Sequence, residues 1–138
     1  MSATEPVNSA PARRMTRQRA AVLAAFRGSA TFRSAQQVHQ DLLAAGKQVS
    51  LATVYRNLRT LEEAGRLDSV RGADGEARYR LCATSSHHHH LVCEVCGRAE
   101  DLDLSAIEPA FLKVAATHGF ELTSHDLELF GRCSDCGR

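Results

Sequence analysis

Two cysteine pairs with the same spacing constrain the fold of this chain more than any other feature. Cys93 and Cys96 are separated by two residues and followed by glycine. Cys133 and Cys136 repeat this arrangement near the end of the chain. Two such turns converge to place four thiolates around one tetrahedral ion, and zinc is the default metal for that ligand set. Because a closed set of four thiolates leaves no position for water, we predict a structural zinc site that stabilises a small domain.

Two alternatives remain open for these cysteines. A disulfide framework needs an oxidising compartment, but the first residues contain no apolar signal segment and no run of about eighteen apolar residues follows them. A redox pair of the thioredoxin type opens a helix, whereas each pair here is followed by glycine. We therefore expect a cytoplasmic protein that does not enter the membrane and whose paired cysteines bind zinc.

The charge of the chain is divided between its two halves. Residues 1–80 contain 13 Lys or Arg against seven Asp or Glu, whereas residues 81–138 contain four against nine. A basic half joined to an acidic half suggests that the first half binds a polyanion, and ordinary surface charge is an equal alternative. The length of 138 residues allows two small domains, each of which needs a staple or a partner for stability.

Periodic apolar residues and capping residues predict three helices in the first half of the chain. They cover residues 16–28, the segment from Ser34 to Gly46 and the segment from Ser50 to Gly65. The third helix buries one apolar stripe, and its opposite face presents hydrogen-bonding and cationic groups, namely Thr53, Tyr55, Arg56, Arg59 and Thr60. Such a face suits a groove of DNA.

Two short strands over residues 66–70 and 76–81 follow, around a turn at Asp74-Gly75. Three helices and a hairpin in this order predict a winged helix-turn-helix whose third helix enters the major groove. The same pattern also describes some protein-binding domains. Residues 1–14, which are poor in large apolar residues, are predicted to be a mobile tail.

The second half is predicted to contain a small α/β unit, so that the whole chain falls in the α+β class. A strand, the first cysteine turn and a second strand lie within HHHHLVCEVCGRAEDLDL. A helix is predicted over residues 105–118, and a last strand, FELTSHDLELFG, over residues 120–131.

Four consecutive histidines begin five residues after Cys82. Because side chains alternate along a strand, His87 and His89 share one face, while His88 and His90 share the other. One run can therefore serve two metal sites. The alternatives are an expression tag, which would be terminal and longer, and a solvated tract that binds metal loosely.

Each face of the histidine run needs further ligands. Asp68 on the first wing strand and Cys82 are the nearest candidates for the second and fourth histidines. Glu108 and His125 are the candidates for the first and third. Two alternatives stay open here. Glu108 also fits a helix capping box with Ser105, and an inward-facing histidine such as His125 is often an ordinary core residue.

The sequence resembles the ferric uptake regulator superfamily, and within it the zinc uptake regulator branch found in actinobacteria. The resemblance runs from about Thr16 to Cys136. It rests on six segments: TRQR (16–19), FRSAQQVH (32–39), TVYRNL (53–58), DGEARYRLC (74–82), HHHHLVCEVCG (87–97) and SHDLELFGRCSDC (124–136). Iron-sensing relatives commonly carry Asp where this chain has His89. This difference and the soft sulfur of Cys82 favour zinc over iron or manganese.

The resemblance implies a homodimer with up to three zinc ions per chain, and it divides the ligands into three groups. The structural group is Cys93, Cys96, Cys133 and Cys136. The regulatory group, at a hinge between the domains, is Asp68, Cys82, His88 and His90. The third group is His87, His89, Glu108 and His125. The implied domains are a DNA-binding domain with hinge over residues 15–82 and a metal-binding dimerisation domain over residues 83–138.

The resemblance also implies a function and several DNA contacts. Zinc would act as a corepressor that closes the dimer onto palindromic operator DNA of zinc-uptake genes. The family places Tyr55 and Arg56 at the major groove, with Arg56 the expected reader of guanine and Gln36 a second contact. Thr53 and Arg59 are expected contacts from the same face of the third helix, and Arg13, Arg14, Arg17 and Arg19 are expected near phosphates.

Two rival functions are less well supported by the sequence. In a redox sensor Cys82 would need a resolving partner, which the sequence does not supply nearby. In a zinc hydrolase we would expect a His-Glu-x-x-His motif, which is absent. We therefore expect neither enzymatic activity nor a small organic substrate.

Overall fold

The computed structural model describes residues 16–82 and 87–137, which form two units with one three-stranded sheet each. The elements in chain order are α1 (Arg17–Ala24), β1 (Arg33–Ser34), α2 (Ala35–Ala44), α3 (Leu51–Glu63), β2 (Leu67–Arg71), β3 (Ala77–Leu81), β4 (His89–Cys93), β5 (Ala99–Leu102), α4 (Glu108–Thr117) and β6 (Glu128–Gly131). This confirms the predicted fold class. The tail predicted over residues 1–14 lies outside the described residues, as do Arg13 and Arg14.

The capping residues explain why α2 and α3 begin and end where the sequence predicts. Ser34 Oγ accepts a hydrogen bond from the Gln37 N–H at 3.2 Å, and the Gln37 side chain accepts one from the Ser34 N–H at 2.9 Å, which completes a capping box. Ser50 caps α3 by accepting from the Thr53 N–H at 3.2 Å. Gly46 and Gly65 follow the two helices with φ angles of 77° and 73°, a backbone conformation that glycine adopts without strain.

Three predicted element boundaries are wrong. The first helix, predicted over residues 16–28, ends at Ala24 and continues only as turns. The fourth, predicted over residues 105–118, begins at Glu108, because the Ser105 N–H is already bonded to the Asp103 carboxylate at 3.0 Å. The last strand, predicted over residues 120–131, begins only at Glu128, where it finds a pairing partner in β4.

The first unit has a well-filled core. β2 and β3 pair in antiparallel register as the predicted wing, and the short β1, which the sequence did not predict, adds to the edge of β3. The three helices pack together over this sheet. The largest of their fully buried side chains are Phe26, Leu58, Leu61, Val22, Val38 and Val54.

The second unit has much less interior. Its strands lie in the order β5-β4-β6, with β4 antiparallel to β5 and parallel to β6. In the isolated chain α4, all of which is described, buries none of its residues. Large apolar side chains are exposed in this unit, among them Ile107, Leu112, Val114, Phe120, Leu129 and Phe130.

The two units touch through the first cysteine turn. The Phe32 N–H donates to the Gly97 carbonyl at 2.8 Å, and Thr31 forms a bridge with Arg98. A Cβ atom on Gly97 would lie 2.4 Å from the Phe32 carbonyl oxygen, so this close approach requires glycine. Phe32 also belongs to a small buried cluster with Val70, Val92 and Ala99, which joins side chains of both units. The described helices include none that is long and apolar enough to cross a bilayer.

Candidate metal centres

Three groups of side chains in the described residues are arranged so that their ligand atoms all lie within 4.8 Å of one another. We call them the cysteine group (Cys93, Cys96, Cys133, Cys136), the hinge group (Asp68, His88, His90) and the sheet group (His87, His89, Glu108, His125). A group of nitrogen, sulfur or carboxylate atoms this close together has the dimensions of a metal site.

The cysteine group lies where the two turns meet. Sγ of Cys96 is 3.8 Å from Sγ of Cys133, and the backbone N–H of Cys133 donates to Sγ of Cys93 at 3.4 Å. Donation by backbone N–H groups, first that of Cys133, lowers the pKa of Cys93 to about 6. Hydrogen bonding with the Cys133 thiol raises the pKa of Cys136 to about 12. Four sulfur atoms of which one already favours the thiolate form fit a tetrahedral zinc ion.

The hinge group joins the two units. Asp68 lies on β2 of the wing, whereas His90 lies on β4 of the second sheet. Oδ2 of Asp68 is 3.1 Å from Nε2 of His88 and 3.3 Å from Nε2 of His90. Both imidazoles therefore turn the same type of nitrogen toward one carboxylate. Two imidazoles and a carboxylate fit a zinc ion that still requires another ligand.

Hydrogen bonding shifts the pKa values of Asp68 and His90 in opposite directions. Burial by itself would raise the pKa of Asp68, but hydrogen bonds from His90, His88 and Cys82 outweigh burial and lower it. The hydrogen bond with Asp68 raises the pKa of His90 against the opposing effect of burial, and contact with Glu128 raises it further. The carboxylate is thus held in the ionised form that a metal ligand needs.

Cys82 stands next to the hinge group through its bond to Asp68. Its thiol is not among the atoms that all lie within 4.8 Å of one another. Its backbone N–H donates to the Arg66 carbonyl at 3.1 Å, which anchors the residue at the end of the wing. The Cys82 thiol thus bonds to one member of the hinge group, the Asp68 carboxylate.

The sheet group is built around one carboxylate oxygen. Oε1 of Glu108 lies 2.7 Å from Nε2 of His87, 2.9 Å from Nε2 of His89 and 3.2 Å from Nε2 of His125. The hydrogen bond from His89 lowers the pKa of Glu108 most, burial opposes the shift, and the other two histidines add to it. Three imidazole nitrogens and one carboxylate form a four-ligand set suited to zinc.

The geometry bears on the alternatives for Glu108, a helix cap, and for His125, an ordinary core residue. No side chain caps α4, and Pro109 lies in its first turn, so Glu108 does not form the capping box with Ser105. His125 lies before β6 rather than within the strand predicted over residues 120–131, so strand alternation does not set its orientation. Its ring nevertheless stacks on His89, with centroids 5.1 Å apart.

Sequence reasoning missed the groups that orient the histidines. Nδ1 of His90 faces the Glu128 carboxylate at 3.0 Å, and the backbone N–H of His90 donates to the same carboxylate at 2.9 Å. Nδ1 of His89 faces the Leu127 carbonyl at 3.0 Å. Each contact leaves Nε2 directed at its group, the usual arrangement around metal-binding histidines. The polar position of Glu128 between two leucines was the only signal for it in the sequence.

The expected DNA contacts lie on an exposed surface of the first unit. Tyr55, Arg56 and Arg59 are exposed along α3, whereas Thr53 is half-buried. Arg56 donates to Thr53 Oγ1 at 3.3 Å, so its guanidinium is directed toward the start of α3. The remaining expected contacts lie on the other two helices: Gln36 and Arg17 are exposed and Arg19 is half-buried.

The chain matches the model of the ferric uptake regulator family over residues 11–130. It is 42% identical over 129 residues to the zinc uptake regulation protein of Mycobacterium tuberculosis, and the match covers 93% of this chain and 98% of that protein. The crystal structure of FurB from M. tuberculosis, a zinc uptake regulator, is 42% identical, with a TM-score of 0.52 and coverage of 88% of this chain and 94% of that one.

A structure of a zinc uptake regulator complexed with zinc and DNA is similar to this one with a TM-score of 0.69. The identity is 29%, and the match covers 89% of this chain and 83% of that chain. These matches extend across both units, so the likeness concerns the whole arrangement and not one domain alone.

Proposed function

The chain belongs to the ferric uptake regulator family of transcription regulators, and on that premise we propose that it is a zinc-responsive repressor in which zinc acts as corepressor. The zinc-bound homodimer would grip palindromic operator DNA of zinc-uptake genes in the cytoplasm. Its residues 15–82 would bind DNA, and residues 83–138 would hold most of the metal ligands and the dimer contact.

The observation that carries this proposal is the position of the hinge group across the two units. Asp68 belongs to the wing, whereas His88 and His90 belong to the second unit. Ligands on both sides of a boundary can hold one ion only in a restricted set of domain orientations, so a bound ion stabilises those orientations. If that orientation matches the spacing of two half-sites, zinc raises DNA affinity, and DNA raises zinc affinity by the same factor.

Cys82 is proposed as the further ligand of this site. It ends the wing next to Asp68, and it already bonds to that carboxylate. A thiolate beside two imidazoles favours zinc over iron or manganese, since softer ligands suit zinc. The sheet group and the cysteine group are proposed as a second and a third zinc site within the same unit.

A homodimer is proposed from the exposed apolar surface of the second unit. The side chain of Phe120 is 72% exposed and that of Val114 is 60% exposed in the isolated chain. Large apolar side chains exposed together in one unit are uncommon on monomers and favour an interaction site there. A two-fold dimer through this unit would bury it and present two α3 helices to the two half-sites.

The exposed face of α3 is proposed to enter the major groove. Arg56 would read guanine, with Tyr55, Thr53, Arg59 and Gln36 nearby, and Arg17 and Arg19 would contact phosphates. The basic balance of residues 1–80 supports this assignment because phosphate contacts require cations.

The test begins with a duplex selected from a random-sequence library by the purified zinc-loaded protein. Binding of this labelled duplex is then titrated in buffers of controlled free zinc, with iron(II) and manganese(II) in parallel. We expect affinity to rise steeply with zinc and little with the other two ions. Zinc-independent binding, or an equal response to manganese, would contradict the proposal.

A further inference from the structure

A buried arginine lies beside the hinge group. Arg80 on β3 is 7% exposed, and its guanidinium forms an ion pair with Asp101 on β5 of the other unit. The guanidinium carbon also lies 4.9 Å from the centroid of the Phe32 ring. An arginine buried between an aromatic face and a carboxylate holds one position, because both contacts restrict its rotamers.

The carboxylate paired with Arg80 is within reach of the hinge group. Oδ1 of Asp101 lies 3.7 Å from Nε2 of His90, the same nitrogen that faces Asp68 at 3.3 Å. A small movement of Asp101 would therefore add a second carboxylate to Asp68, His88, His90 and the proposed ligand Cys82. A further ligand that is a hard oxygen suits manganese and iron(II), which take more ligands and harder ones than zinc does.

We propose that Arg80 decides which metal ion the hinge group accepts, by engaging the Asp101 carboxylate in an ion pair so that this carboxylate does not become a metal ligand. This inference rests on the proposed function, since it treats the hinge group as a metal site. The guanidinium occupies Asp101 as an ion-pair partner, which keeps that carboxylate from serving as a further hard ligand. Arg80 is thus a selectivity residue that does not touch the metal.

A purely structural role for the ion pair makes a different prediction. Arg80 and Asp101 also join the wing to the second sheet, so the pair would stabilise the closed orientation for any bound ion. If the ion pair only joined the two units, its removal would weaken zinc and manganese binding together. Removing a selectivity residue would instead strengthen manganese binding, because the released carboxylate becomes a ligand.

The experiment compares Zn²⁺, Mn²⁺ and Co²⁺ binding to the full-length chain and its Arg80→Gln variant. Arg80→Met, which keeps the packing against Phe32, is measured as a second variant. If one of the two variants does not fold, the other still tests the inference. The hinge binding step is identified as the one that His90→Ala removes. Arg78→Gln is the matched control. Arg78 lies on β3 like Arg80, and the substitution removes its ion pair with Asp74. Thermal unfolding and retained zinc content verify the fold of each variant.

We expect Arg80→Gln or Arg80→Met to raise Mn²⁺ affinity at the hinge by about 10–100-fold, the size of effect that groups around a metal site usually have. Visible absorption of Co²⁺ should weaken as its coordination number rises above four. The double variant Arg80→Gln/Asp101→Asn should lose both changes, and Arg78→Gln should bind like the unchanged chain.

Two results would overturn the inference while leaving the proposed function intact. One is zinc-dependent binding to DNA by both Arg80 variants with an unchanged ratio of Mn²⁺ to Zn²⁺ affinity. The other is a gain in Mn²⁺ affinity that persists in the double variant, since Asp101 would then not be the added ligand. If the unchanged chain shows no zinc step that His90→Ala removes, the proposed hinge site itself is wrong, and the inference fails with it.

Discussion

The two units of this protein reach stability by different means. The first has an interior of apolar side chains that the chain itself supplies, and Phe26 and Val54 are completely buried in it. The second unit has a helix, α4, none of whose residues is buried within the chain. Side chains of the second unit instead form three clusters of potential metal ligands, and one cluster includes Asp68 of the wing. Small domains that lack a sufficient core commonly rely on metals or partners. The comparison suggests that zinc and dimer formation stabilise the second unit, whereas apolar burial stabilises the first.

The largest effect is expected from loss of the cysteine group. Cys93→Ser or Cys133→Ser should abolish folding of the second unit and dimer formation, because binding of a structural metal contributes folding free energy directly. The first unit should keep its helical content. Circular dichroism, zinc analysis and sedimentation would measure this. A well-folded dimer that lacks this zinc would show that the comparison is wrong.

A matched pair of phenylalanine substitutions separates the two means of stabilisation. Phe26→Ala should lower the free energy of unfolding by about 3–5 kcal/mol, since the ring is fully buried. Phe120→Ala, at an exposed ring, should change it by less than about 0.5 kcal/mol in the monomer and should weaken the dimer. Urea unfolding at several protein concentrations measures both. Equal effects at the two positions would remove the distinction.

The next prediction concerns the hinge and sheet groups. Cys82→Ser or His90→Ala should leave a folded dimer whose DNA affinity no longer rises with zinc, since the ligands that span the two units are incomplete. His89→Ala or His125→Ala should keep part of the zinc response, with a shifted threshold or lower stability. Zinc titrations against one labelled duplex compare the four variants. If His89→Ala abolishes the response and Cys82→Ser does not, sensing does not occur at the hinge.

The smallest effect is expected at a single DNA contact of the first unit. Arg56→Ala should reduce discrimination between duplex variants by about 1–3 kcal/mol, the value of one bidentate contact to guanine. Binding to a panel of single-base variants of the selected duplex measures this. If all duplexes are weakened equally and only the salt dependence becomes shallower, Arg56 contacts phosphate instead.

The hinge group shows how far its geometry could be predicted from the sequence. Alternation along a strand separates His88 and His90 from His87 and His89, and in the structure the two pairs do lie in different groups. This prediction needed only local geometry, because the alternation of β4, which begins at His89, also separates His87 from His88. The position of Asp68 against His90 depended on how two distant strands meet, which no local pattern encodes.

Local interactions are the part of this protein that the sequence by itself determined. The Ser34 and Ser50 caps, the glycine stops, the wing turn and the spacing of the cysteine pairs all act within a few residues, so their residue types specify the backbone. The resemblance to a known family also implied which residues form the three ligand groups, but it did not give the positions of their atoms.

Tertiary structure alone decided the long-range contacts. It limited the last strand to Glu128–Gly131, because β6 continues only where β4 offers a parallel partner. It turned Glu108 toward three histidines instead of into a helix cap, and it paired Arg80 with Asp101 across the two units. Each of these contacts joins residues 17 or more positions apart. Their formation depends on the packing of whole elements, and residue spacing along the chain carries no record of that packing.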